Sequence, residues 1–405
     1  MVGPVSDPNS TLSSIPAPPM PLALGLDRLW QLDPDLTFLN HGSFGAVPRA
    51  VRQAHIAAQD RIESRPIELL GRRATELLEP ARGRVGVFLG MAPGSFGFVT
   101  NATEGVNAVL HALELSDGDE LLTTSHVYNA VRKAMQWCAS RRGATYREVS
   151  VPLPILRPSD VIDAVLSACT PRTRLVVVDQ VTSPTALVFP VAELCARCRA
   201  MGIEVLVDGA HVPGMLPIDV NALGATWWTG NLHKWCCAPK GTAVLWAAEH
   251  ARARTHPAVV SHFHGEGLAN EFDWQGTRDL AAWMVAGEAI DFMGGFGWDR
   301  VMQHNRSLAA WAHRMLCDRW EVEPISPADG SMLGAMCTVP LPPEVRARWD
   351  SPESFQAALL SSHRLELPIM DFGGRWHARA SAQVYNRAEQ YDRLAQAVIE
   401  LASMA

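Results

Sequence analysis

The sequence predicts an α/β protein, with a large domain on a mainly parallel, doubly wound sheet and a smaller α+β domain after it. Three observations predict this. Short apolar runs alternate with helix-period segments between about residues 96 and 246, as strands joined by crossover helices do. Beyond about residue 250 longer helical segments take over, then mixed strand-like and helical pieces. The chain has 405 residues, 48% hydrophobic and 19% charged, which suits a large domain plus a smaller one and is too apolar for disorder. The expected parts are a Pro/Ser-rich arm (1–20), a large domain (21–290) whose N-terminal part can pack on the small domain, and a small domain (291–405).

Bulk properties exclude several classes. A net charge of −7 argues against nucleic acid or an anionic membrane as partner. No run approaches the roughly 18 uncharged apolar residues of a membrane span, and the first residues lack the charged and apolar regions of a secretory signal. A cytoplasmic protein is expected. Among eight cysteines, Cys195-x-x-Cys198 is the only CxxC, and without a second pair it reads as reduced, buried thiols. No G-x-G-x-x-G follows the first strand, which removes a nicotinamide-dependent dehydrogenase.

Taken in order, residues 37–39 read as a short strand before Asn40-His41-Gly42-Ser43-Phe44-Gly45, where glycines let backbone approach a ligand or simply turn. Helices are expected over 48–64, with Pro48 near the first turn, and over 67–89. A strand over 96–99 is followed by Thr100-Asn101-Ala102-Thr103-Glu104-Gly105 and a helix over 106–115. That arrangement is either an anion cradle at a helix N-terminus or an ordinary N-cap. The strand over 120–124 ends in Ser125-His126-Val127-Tyr128, so His126 or Tyr128 could present a ring to a cofactor. A buried strand over 175–178 precedes Asp179 and Ser183, and a helix over 191–201 leads on.

Two runs carry the chemistry. Residues 205–207 end on Asp208-Gly209-Ala210-His211, and the run 225–228 leads to His233-Lys234. Open α/β sheets place ligands at such strand ends. An acid for a pyridinium nitrogen and a lysine for a Schiff base are the two groups pyridoxal phosphate (PLP) requires. A further strand is expected over 242–246, and helices over 280–293 and 298–320. His262-x-His264 suggests a metal pair, but no further ligand cluster accompanies it in sequence, and no metal is assigned.

LNHGSFGAVPR (39–49), TNATEGVN (100–107), VDGAH (207–211), TGNLHKW (229–235), WQGTRD (274–279) and RASAQVYN (379–386) occur in that order. Through them the chain resembles fold type I PLP enzymes of the class V aminotransferase group, and within it the isopenicillin N epimerase-like branch. The resemblance implies a seven-stranded, mainly parallel sheet and a homodimer with shared active sites. It implies Lys234 as Schiff-base anchor and acid/base, and Asp208 as partner of the pyridine nitrogen. His211 and Ser183 would stand near the ring hydroxyl, and Ala102, Thr103, Thr229 and His233 at the phosphate. Thr277 would reach the neighbouring subunit's phosphate, and Arg379 would clamp the substrate carboxylate. His41, Gly42 and Ser43 fall to the substrate side.

Residues 367–378 lack the loop cysteine of cysteine desulfurases in this group, which disfavours persulfide transfer. The implied activity is proton abstraction at the α-carbon of an amino-acid substrate, epimerase-like. Elimination (C–S lyase) or cyclisation is the alternative and transamination is less favoured. Epimerisation needs a second base, for which Tyr128, His126 and His41 stand open. A non-catalytic binding protein would have no need of Lys234, Asp208 and Arg379 together.

Overall fold

The computed structural model describes residues 16–403. Most of the arm expected over 1–20 therefore lies outside the described residues. The centre is a seven-stranded sheet. In chain order its strands are β1 (Phe96–Val99), β2 (Glu120–Thr124), β3 (Thr145–Val149), β4 (Thr173–Asp179), β5 (Glu204–Asp208), β6 (Trp227–Asn231) and β7 (Ala243–Ala247). They lie side by side as β1-β7-β6-β5-β4-β2-β3, and only β7 runs against the rest. Strands β1, β2, β5, β6 and β7 are buried almost throughout, which is why they appear as apolar runs.

Strand β3 and the helix Pro158–Ala168 after it were not anticipated. The strand is a half-exposed edge with sequence TYREV, so no apolar run marks it. Strand β6 starts two residues later than the run 225–228 predicts and continues through Thr229-Gly230-Asn231. Glycine and asparagine are poor strand formers, and pairing with β5 and β7 overrides that preference. The helix expected over 67–89 is a π-helical Ile67–Arg72 and a helix Ala74–Leu89, separated at Arg73. The helix expected over 280–293 is likewise two pieces, Ala281–Met284 and Ala286–Gly294, with a short helix Leu268–Asp273 before them.

Residues 336–381 supply a three-stranded antiparallel sheet, β8 (Met336–Pro340), β9 (Ile369–Phe372) and β10 (Arg375–Ser381). The long helix Trp298–Arg319 packs on β8, and the terminal helix Ala388–Ser403 packs on that helix. The early strand Thr37–Phe38 pairs with Leu365–Glu366, so the chain start docks on this C-terminal part. One buried cluster runs from Leu39 through the sheet to Ala402. No helix among the described residues is long and apolar enough to cross a membrane.

Candidate active site

The site forms where β4, β5 and β6 end. Asp179 and Asp208 are register partners at the ends of β4 and β5, and Asn231 closes β6. Strand β1 points the same way and delivers the N-terminus of the helix Ala102–Ala112 to that edge. A cavity of about 540 Å³ opens there, lined among others by Thr103, Tyr128, Asp208, His211, His233 and Lys234. Ligand sites collect at this edge because strand ends and helix N-termini leave backbone groups unpaired there.

Local sequence shapes the floor. Gly209 lies against the Trp228 indole, and a Cβ there would fall 2.5 Å from the ring. The Asp208 carboxylate accepts from the Ala210 N–H at 2.9 Å. The residues before Lys234 turn back so that His233 Nδ1 meets the Thr242 carbonyl at 3.0 Å, which leaves its Nε2 for a ligand. Gly45, with φ of 69°, lets the loop after His41 close on this turn; a Cβ on it would lie 2.0 Å from the His233 carbonyl oxygen.

Burial and mutual charge set the electrostatics. Lys234 Nζ is 3.2 Å from His211 Nε2. Burial, reinforced by the Arg379 charge, lowers the Lys234 pKa to about 7, with Asp208 and Asp179 opposing. Burial holds His211 well below its usual range, with Lys234 and Arg379 adding to the effect. The Trp235 indole N–H points at His211 Nδ1 (3.5 Å), so a neutral ring carries its proton on Nε2, facing the lysine amine. Burial raises both carboxylates, and Asp179 is pushed up further by Asp208 beside it. Asp179 Oδ2 accepts the Tyr128 N–H, while its Oδ1 is buried without a partner among the described residues.

Arg379, on β10, is 4% exposed and has no carboxylate partner among the described residues. Its guanidinium donates to the Ser183 carbonyl (2.7 Å), Ser183 Oγ (3.1 Å) and Ser43 Oγ (3.0 Å), and its Nε has no partner among the described residues. Burial lowers its pKa to about 10. A buried cation held only by neutral groups is a receptor for an anion.

The structure gathers Lys234, Asp208, His211, His233, Ala102, Thr103, Ser183, Tyr128 and Ser43 around one cavity, with Arg379 bonded to two of them. Four expectations are corrected. His126 does not line this cavity, because Nδ1 is bonded to Thr185 Oγ1 and Nε2 to the Val151 carbonyl, both at 2.7 Å. Tyr128 does line it. His41 is buried with Nδ1 on the Tyr385 hydroxyl (2.7 Å) and Nε2 on the Lys234 carbonyl (3.0 Å), so it braces the lysine backbone rather than meeting substrate. Gly42 is a packing glycine whose Cβ would lie 2.4 Å from Met336 Sδ.

Thr229 is the fourth. It sits within β6, donates to the Val244 carbonyl (2.9 Å) and packs under Gly105. Asn231, two residues on, lines the cavity and accepts the Ala102 N–H at 2.8 Å. Asn231 and Asp179, which were given no role from sequence, are polar residues ending a buried strand, the same signal that marks Asp208. Thr277 is exposed and lies outside its own chain's cavity. No cysteine lines the cavity, and Cys236 and Cys237 are buried.

These residues fit PLP. Thr103 at a helix N-terminus, with Asn231 and His233 lining the same cavity, suits a phosphate, and the paired acids Asp179 and Asp208 suit a protonated ring nitrogen. A lysine amine with a pKa near 7 suits the aldehyde.

Residues 48–394 match the class-V aminotransferase family. The isopenicillin N epimerase of Amycolatopsis lactamdurans is 33% identical, across 91% of this chain and 96% of that protein. The L-cysteine desulfhydrase of Arabidopsis thaliana is 30% identical, across 90% and 87%. The apo cysteine desulfurase of Thermococcus onnurineus superposes with a TM-score of 0.78 at 19% identity, across 95% and 99%, a likeness of fold.

Proposed function

The chain belongs to the class V aminotransferase family and is a PLP-dependent enzyme, and from that premise we propose that it moves the α-proton of an amino acid with an extended side chain, with epimerisation as the outcome. One observation carries the choice of substrate size. A second cavity, about 810 Å³, shares Tyr128 and Ser183 with the first. Arg132, Asn129, Asp371 and Arg375 line it. A substrate carboxylate on Arg379, beside Ser183, leaves the side chain facing this space, which a cysteine-sized group would leave to water.

Bound PLP supplies an electron sink that acidifies the α-carbon. The chain's part is placement and proton transfer. Arg379 orients the carboxylate, Asp208 holds the ring nitrogen's proton, and Lys234 anchors the cofactor and moves the α-proton on one face. Of the three groups open for the second base, His41 and His126 have both ring nitrogens engaged. Tyr128, which lines both cavities, is the remaining one. Replacing Tyr128 by Phe should preserve α-hydrogen exchange with retention and slow inversion about 10²-fold or more. Equal loss of exchange and inversion would remove Tyr128 from this role.

The similarity to cysteine desulfhydrases supports elimination as a second reading. A series of α-amino acids of increasing side-chain length separates the two. On our reading kcat/KM rises with length and the product is the inverted amino acid. A preference for cysteine with release of pyruvate and sulfide would establish the lyase.

A further inference from the structure

We propose that His256, His264 and Glu271 form a site for a divalent transition-metal ion of the zinc class, separate from the PLP cavity. Sequence pairs His264 with His262, but in the fold its neighbour is His256. Glu271 Oε2 lies 2.7 Å from His256 Nδ1 and 3.3 Å from His264 Nδ1. One donor atom from each of the three residues falls within 4.8 Å of the others. The imidazoles have centroids 4.8 Å apart and planes at 57°, so they converge rather than stack.

The carboxylate is held as a metal ligand needs to be. Glu271 is 5% exposed, on the short helix Leu268–Asp273. Its flanks are anchored: Phe272 packs on Gly97, and Asp273 accepts from Arg82. The Gly265 N–H donates to Oε1 at 3.2 Å and orients the other oxygen toward the histidines. No lysine or arginine pairs with Glu271 among the described residues; its ion-pair partners are the two histidines. A buried carboxylate needs charge compensation, and two imidazole nitrogens aimed at one of its oxygens can share a cation between them.

Dimensions agree with zinc. Tetrahedral Zn²⁺ at about 2.0–2.1 Å from N and O ligands sets those ligands roughly 3.3 Å apart, within the separations present here. Two nitrogens and one carboxylate oxygen suit zinc better than calcium or magnesium. His264, whose side chain is 51% exposed, leaves the fourth position to water. The ion would tie the loop carrying His256 and His264 to the segment that continues to Gln275. That side chain donates to Glu104, on the helix bearing Thr103. The ion would brace that loop and, through Gln275, the helix whose N-terminus forms the phosphate cradle.

The test uses the PLP-loaded protein, stripped with a chelator and dialysed against zinc alone. We expect one zinc per chain by elemental analysis and a raised melting temperature. His264→Ala, a partly exposed change that leaves the fold intact by circular dichroism, should bind at least about tenfold more weakly and lose the thermal shift. Less than half an equivalent in the wild type would overturn the proposal and leave a hydrogen-bonded His–Glu cluster. Equal uptake by the His264→Ala protein would overturn it as well, by placing the ion elsewhere.

Discussion

Lys234 is a reagent because of what surrounds it. An amine with a pKa of about 7 is half neutral near physiological pH, where an exposed lysine is almost wholly protonated. Capture of the PLP aldehyde uses the neutral amine. Its rate constant on the apoprotein should therefore stay level above pH 7 and fall about tenfold per pH unit below. The Arg379 charge depresses this pKa, so Arg379→Gln should move the inflection to higher pH. An inflection that stays in place would show that burial alone sets the value. Lys234→Ala should lose the visible band that PLP adds to the protein. Asp208→Asn should keep bound PLP yet slow α-proton exchange by about 10²-fold or more; near-normal turnover would contradict its role.

At this scale the sequence is most legible where a residue ends an apolar run. Asp208, and Lys234 shortly after β6, stand out for that reason. The misreadings share one cause. His126, His41 and Thr229 sit beside the site in sequence, but their polar atoms are spent on Val151, Thr185, Tyr385, Lys234 and Val244. Sequence gives a side chain's address and not its hydrogen-bond partners, which lie 25 to 344 positions away for the two histidines.

At the scale of elements, the site depends on how β6 ends. Asn231 accepts the Ala102 N–H and so locks the strand to the helix that bears Thr103. Asn231→Ala should free that N–H and weaken PLP retention by roughly tenfold, on the order of 1–1.5 kcal/mol for one such bond. Retention equal to wild type would show that the helix is placed without it. The loop 40–45 is the second support. A Cβ on Gly45 would strike the His233 carbonyl at a positive φ. Gly45→Ala should cost about 2–4 kcal/mol by chemical denaturation, whereas a loss below about 0.5 kcal/mol would mean the loop yields freely. The buried strands could be read from the sequence because both their faces are apolar. Strand β3 could not, being a polar edge, and the start of β6 was displaced because pairing, not propensity, sets it.

At the scale of the whole molecule, the sheet, its single antiparallel strand and the C-terminal sheet bring Arg379 and Ser43 to the Lys234 cavity from opposite ends of the sequence. Periodicity conveys the layers but not this closure, which rests on contacts such as Arg379 with Ser183, 196 positions apart. Thr277 is exposed and outside its own cavity, which suits a contact with a second subunit. We propose a homodimer completed this way. Sedimentation should give twice the chain mass, and Thr277→Ala should release PLP faster without dissociating the dimer. A monomer with full PLP occupancy would refute it.

The most direct test of the central claim is to incubate the PLP-loaded enzyme in deuterated water with an extended-side-chain L-amino acid. The α-hydrogen and the enantiomer ratio are then followed together. Proton transfer on both faces of the α-carbon gives loss of the α-proton signal with deuterium appearing in both L and D products. An α-proton that persists while the substrate is consumed would contradict it.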